Sequence, residues 1–110
     1  MDTLSRLAAT IAARRDADPA TSWVAQLQAR GLPVIARKFG EEAVETVVAA
    51  LSGSTDELIG EAADTLFHLL VLLDAKAVPL AAVLAELERR DGTSGIAEKA
   101  QRPALSDKDL

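Results

Sequence analysis

Between Leu66 and Leu73 the chain reads Leu-Phe-His-Leu-Leu-Val-Leu-Leu, broken by one polar residue, His68. Upstream, Ser54-Thr55-Asp56-Glu57 has the pattern of a capping box, so this run lies in a helix opening there and extending to about Ala77. A helix that is apolar around nearly its whole circumference is a buried helix. Glu61 and Asp64 stand at its edge, three residues apart, and point the same way. Carboxylates at the margin of a buried helix need hydrogen bonds, basic partners or a metal ion. The chain must therefore wrap this helix with others while giving its acidic edge a partner.

The preceding stretch, Lys38-Phe39-Gly40-Glu41-Glu42-Ala43-Val44-Glu45, carries the complementary pattern. At roughly 100° of turn per residue, Lys38, Glu41, Glu42 and Glu45 share one helical face. Taken alone, such a face is most simply solvated, and like charges at i,i+4 cost about 0.2–0.5 kcal/mol per pair. Pro33 opens this helix, which runs to about Leu51, and Ser52-Gly53-Ser54 breaks it. So short a connection makes the two helices antiparallel neighbours. Glu45 and Glu61 then lie at comparable heights, and five carboxylates can face one groove. A divalent-cation site is the chemical reading of that arrangement.

The remaining punctuation is helical as well. Leu4, Leu7, Ala8 and Ile11 mark an amphipathic helix over 3–15, closed by Asp16-Ala17-Asp18-Pro19. Thr21 or Ser22 caps a second helix reaching Arg30, with Gly31 after it. Trp23 is expected to anchor the core, or else to stack on a base. Ile35, Phe39, Ala43, Val44, Val47, Val48 and Leu51 fall opposite the acidic face, and Gly40 among them implies close approach of a neighbouring helix. Pro79 opens a fifth helix to about Asp91, and a short sixth spans 96–101. Neither a strand pattern nor a repeat is present. We expect one all-α domain over 1–102, an antiparallel helical bundle, followed by a loose tail over 103–110. The chain has too few helices to surround its fourth, so a homodimer should complete the bundle.

Composition narrows the function. Seventeen acidic against twelve basic residues, net charge −5, argue against nucleic-acid binding by general attraction. Cysteine is absent, which excludes disulfides and thiolate metal sites. No apolar run approaches a membrane span, and no signal-peptide pattern follows Asp2 and Arg6, so a cytoplasmic location is expected.

The Glu41-Glu42-x-x-Glu45 helix followed by Glu61-x-x-Asp64 resembles the MazG-type all-α nucleoside triphosphate pyrophosphohydrolases. Within them the likeness is greatest to the phosphoribosyl-ATP pyrophosphohydrolase family of histidine biosynthesis. It extends from Ser22-Trp23 through the Lys38 to Glu42 run, Ala63-Asp64, Phe67 to Leu70 and Leu84 to Leu87, to Ser94-Gly95 and Glu98-Lys99. The resemblance implies a MazG-like fold and Mg²⁺-dependent hydrolysis of 1-(5-phosphoribosyl)-ATP to 1-(5-phosphoribosyl)-AMP and pyrophosphate. It also implies Glu42, Glu45, Glu61 and Asp64 as metal ligands, with Glu41 either the general base or a ligand to a second ion. Lys38 would meet a phosphate oxygen or balance the acidic face. Lys99 and Arg102 would hold the 5′-phosphate or simply form an exposed basic end; Arg37, Arg89 and Arg90 are weaker candidates of that kind. His68 is either a satisfied structural histidine or a support for a metal-binding carboxylate. The competing functions are a house-cleaning (d)NTP pyrophosphohydrolase with the same site and a non-catalytic helical oligomerisation module.

Overall fold

The computed structural model describes residues 2–92 and 95–102; Ser94 and the expected tail over 103–110 lie outside them. The described residues form α1 (Thr3–Arg14), α2 (Trp23–Arg30), α3 (Leu32–Ser52), α4 (Thr55–Ala75), α5 (Leu80–Arg90) and α6 (Gly95–Gln101), with no strand among them. The fold is all-α. The chain divides into two compact units, Met1–Leu80 and Ala81–Leu110. The acidic motifs belong wholly to the first.

Local chemistry sets the helix ends. Ser22 Oγ accepts from the Ala25 N–H at 3.2 Å, and Ser54 Oγ accepts from the Glu57 N–H at 3.1 Å. Each satisfies a donor that the first helical turn leaves without an intrahelical partner. Gly31 joins α2 to α3 at φ 92, a conformation that side chains resist. Helix α4 stops at Ala75, short of Ala77. There the Ala77 N–H donates to Asp74 O and the Val78 N–H to Leu73 O, closing the helix with Ala77 at φ 55. This is the paired C-terminal closure that usually employs glycine.

The core lies at one end of α4. Ile11, Val24, Leu27, Ile35, Leu70 and Val71 form the buried cluster, with Phe67, Leu72 and Leu73 packed against it. On the same end, Asp74 accepts from Arg15 Nε at 2.9 Å, Arg15 Nη2 at 2.6 Å and Gln28 Nε2 at 3.0 Å. That knot ties the end of α1, α2 and α4 together. The amino-terminal half of α4 packs on α3 instead. The two are antiparallel: Gly53 meets Glu57 near the turn, and Thr46 meets Thr65 farther from it.

Two expectations, at Trp23 and Gly40, are corrected. Trp23 is 41% exposed and lies under the Arg30 guanidinium at 5.6 Å from the ring centroid, outside the core. Val44, Val47, Val48 and Leu51, the apolar side of α3 opposite the acidic face, are 56–83% exposed, because nothing among the described residues covers that stripe. A Cβ on Gly40 would meet no atom within 4 Å among the described residues, so none of their helices approaches it closely.

Gly53 is different. A Cβ there would lie 3.0 Å from Ala49 O and 3.2 Å from Ala49 Cα, both backbone atoms. Gly53→Ala should therefore destabilise by about 1–3 kcal/mol, the range of local overpacking. Gly40→Ala should stabilise by about 0.5–1 kcal/mol through helix propensity. Urea unfolding midpoints at unchanged slope would read both signs.

Candidate functional site

Helix α3 presents Glu42 and Glu45 one turn apart, and α4 presents Glu61 opposite them. One carboxylate oxygen from each lies within 4.8 Å of the other two. Two oxygens bound to one Mg²⁺ stand at most about 4.2 Å apart, twice a bond of about 2.1 Å. The trio is thus within a fraction of an ångström of a shared coordination sphere. Beside it, a cavity of 230 Å³ is lined by Glu45, Val48, Ala49, Ser52, Gly53, Glu57 and Glu61. Glu57, read in the sequence only as part of a cap, borders this groove.

Glu42 Oε2 and Glu61 Oε2 are buried and have no hydrogen-bond partner among the described residues. A solvated acidic face would keep those oxygens in water. Burial pushes the Glu42 carboxyl above its ordinary range, and contact with Glu45 and the charge of Asp64 push it the same way. Burial likewise raises Glu61, aided by Glu45 and Glu42. Such a cluster is at ease only with a proton or a cation in it. Hard oxygen donors, two of them unsatisfied, suit a divalent cation of the Mg²⁺ type.

The other sequence candidates take different places. Asp64 is exposed and outside the close trio, yet its charge is felt at Glu42. Glu41 turns toward two cations, with Lys38 Nζ at 3.5 Å and Arg37 Nε at 3.4 Å. His68 is buried, and its Nδ1 lies 2.8 Å from the Asp64 backbone carbonyl, so the ring reaches the main chain of Asp64. Because a carbonyl only accepts, Nδ1 carries the proton in that bond, while the buried Nε2 has no partner among the described residues. Lys99 and Arg102 lie in the second unit with exposed side chains. Arg89 and Arg90 both grip Glu86, at 2.7 and 3.0 Å, and draw its carboxyl down to about 2. Thr46 and Thr65, which the sequence reading passed over, meet across the helix pair beneath these carboxylates' turns.

Comparison with known proteins points one way. The sequence pattern of the family described as phosphoribosyl-ATP pyrophosphohydrolase matches residues 4–91. A phosphoribosyl-ATP pyrophosphatase of Erythrobacter litoralis is 66% identical over 102 residues, covering 93% of this chain and 98% of the relative. The protein of that name from Novosphingobium aromaticivorans is 67% identical over 99 residues, covering 90% and 92%. That from Rhizorhabdus wittichii is 65% identical over 101 residues, covering 92% and 95%.

The raised carboxyl groups give a stability signature with a definite sign. A group whose pKa is higher in the fold than in the unfolded chain contributes stability at low pH, and that contribution is lost as pH rises through the folded value. For Glu42 and Glu61 the loss begins near the ordinary glutamate value of 4.5 and continues above it. In EDTA at pH 7, Glu61→Gln should melt a few degrees above the wild type. The gap should shrink as pH falls toward 4.5, and Mg²⁺ should reverse the order. Melting curves over that pH range check all three outcomes.

Proposed function

The chain belongs to the phosphoribosyl-ATP pyrophosphohydrolase family, and from that premise we propose that it hydrolyses 1-(5-phosphoribosyl)-ATP to 1-(5-phosphoribosyl)-AMP and pyrophosphate with Mg²⁺, the second step of histidine biosynthesis. The observation that carries this reading is the trio Glu42, Glu45 and Glu61 with two buried, unpartnered oxygens. These three would hold the cation, and Asp64 would complete the set from the next turn of α4. Bound there, Mg²⁺ supplies charge neutralisation on the polyphosphate and a lowered pKa for water.

The reaction breaks the anhydride between the α and β phosphorus atoms. Water oxygen bonds to phosphorus, the bridging oxygen departs with its electron pair, and the water proton passes to a base. Glu41 is that base or a ligand to a second ion. In the single chain its carboxylate pairs with Lys38 and Arg37, and either role requires it to leave them. If it is the base, Glu41→Gln lowers kcat at every Mg²⁺ concentration. If it is a ligand, raising Mg²⁺ recovers much of the rate. Lys38 is assigned to a substrate phosphate oxygen or to balancing the acidic face, and Lys99 with Arg102 to the 5′-phosphate. We place residues 1–102 in one catalytic domain acting in the cytoplasm. Among the described residues no single helix is long and apolar enough to cross a membrane.

The second copy belongs to the same proposal. Val44, Val47, Val48 and Leu51 form an exposed i, i+3, i+4, i+7 stripe on α3, and Ile59 and Leu66 are exposed on α4. An uncovered apolar stripe of this kind marks an association surface. Another α3–α4 pair, apolar in the same places, is the natural cover.

Glu45→Ala should lower phosphoribosyl-ATP hydrolysis at least the roughly 100-fold that outer partners of a metal site alone command. Wild type, but not this variant, should rescue growth of a strain lacking the histidine enzyme. Preference for dNTPs in a substrate panel would move the assignment to a house-cleaning enzyme, and a melting temperature indifferent to Mg²⁺ would favour a non-catalytic module. Leu51→Glu should shift sedimentation from dimer toward monomer, because a charge would be buried in the interface.

A further inference from the structure

Thr46 and Thr65 are half-buried, and their hydroxyl oxygens stand 2.8 Å apart between α3 and α4. Each also lies 2.9 Å from the backbone carbonyl one turn earlier on its own helix. Those carbonyls belong to Glu42 and Glu61, the two glutamates whose buried oxygens lack partners. A hydroxyl donates one proton, so two protons serve three contacts. Were both to donate back, two hydroxyl oxygens would face each other at 2.8 Å with no proton between them. The satisfied arrangements are Thr46 donating to Glu42 O and accepting from Thr65, or Thr65 donating to Glu61 O and accepting from Thr46. In both arrangements one proton spans the helices.

The location matters because the carboxylates push the other way. Thr46 follows Glu45 directly, and Thr65 follows Asp64. Ionised glutamates on α3 and α4 repel across the same gap that this bridge crosses. Productive ligand geometry tolerates displacements of only about 0.5 Å. Threonine is also a middling helix former with a branched Cβ, so helix propensity alone does not favour it at two facing positions.

We propose that Thr46 and Thr65 are positioning residues, whose hydroxyl bridge sets the α3–α4 spacing at which Glu42, Glu45 and Glu61 hold a divalent cation. The proposal rests on the metal-dependent reading above. It assigns neither threonine any contact with substrate.

The test is direct Mn²⁺ binding to the purified protein, read by electron paramagnetic resonance, alongside melting in EDTA and kcat and KM for phosphoribosyl-ATP. Thr46→Val and Thr65→Val should each weaken Mn²⁺ binding about tenfold, as loss of an outer support does at metal sites. The double variant should be no worse than either single one, since one lost hydroxyl already breaks the bridge. Thr→Ser at each position should restore binding to within about twofold while keeping the hydroxyl. Melting in EDTA should stay within a few degrees of wild type, and kcat at subsaturating metal should fall more than KM rises. Should a valine variant fail to fold, Thr→Ala at the same position carries the same readouts. If Glu61→Gln abolishes Mn²⁺ binding but the valine variants bind as wild type, the bridge is refuted and the metal site stands. If losses from the two valines add and serine rescues nothing, packing is the explanation and the bridge again falls. If wild type binds no Mn²⁺, the metal reading and the bridge fall together.

Discussion

Repulsion among Glu42, Glu45 and Glu61, on a helix pair that withdraws two of their oxygens from water, is the constraint to which the rest of the site answers. Like charges so placed are unstable by themselves. The fold nevertheless brings them together from two helices, within one coordination sphere's reach. That tension gives the glutamates a chemical use, because anything supplying positive charge there is bound with the repulsion as driving force.

Scaffold and chemistry occupy different halves of α4. Residues 67–75 pack into the aliphatic cluster and the Arg15–Asp74–Gln28 knot. Residues 57–65 face α3 and the acidic groove. The stable half can thus be optimised for packing while the other carries groups that would weaken a core. His68 stands where the halves meet, bound through Nδ1 to the main chain of Asp64 and edge-on to Phe67 at 5.1 Å.

What was legible in the sequence was mainly local. Ser22, Gly31, Pro33 and Ser54 announce helix ends because capping depends on a few adjacent atoms. The i, i+3 spacing of Glu42 and Glu45, answered by Glu61, was legible for the same reason. Glu41 was harder to place: a helical wheel aligned it with the others, but long side chains follow the nearest opposite charge, and Arg37 and Lys38 claim it. The valine stripe of α3 was legible as an apolar face, but a wheel distinguishes apolar from polar and says nothing of which molecule does the covering. Thr46 and Thr65 went unnoticed because their meeting depends on the register between two helices. The trace they left was threonine four residues after a glutamate on each helix, the spacing of a hydroxyl bonded back to the preceding turn.

The lopsided burial along α4 has a thermal consequence. In the single chain, Ala49 alone of the α3 residues beyond Ile35 is buried, whereas the opposite end of the pair is locked into the aliphatic cluster. Segments with few buried contacts open locally at lower free energy than the whole molecule. In a lone chain, warming should therefore loosen the groove end of the α3–α4 pair first, and a second copy seated on the α3 stripe would remove that weakness.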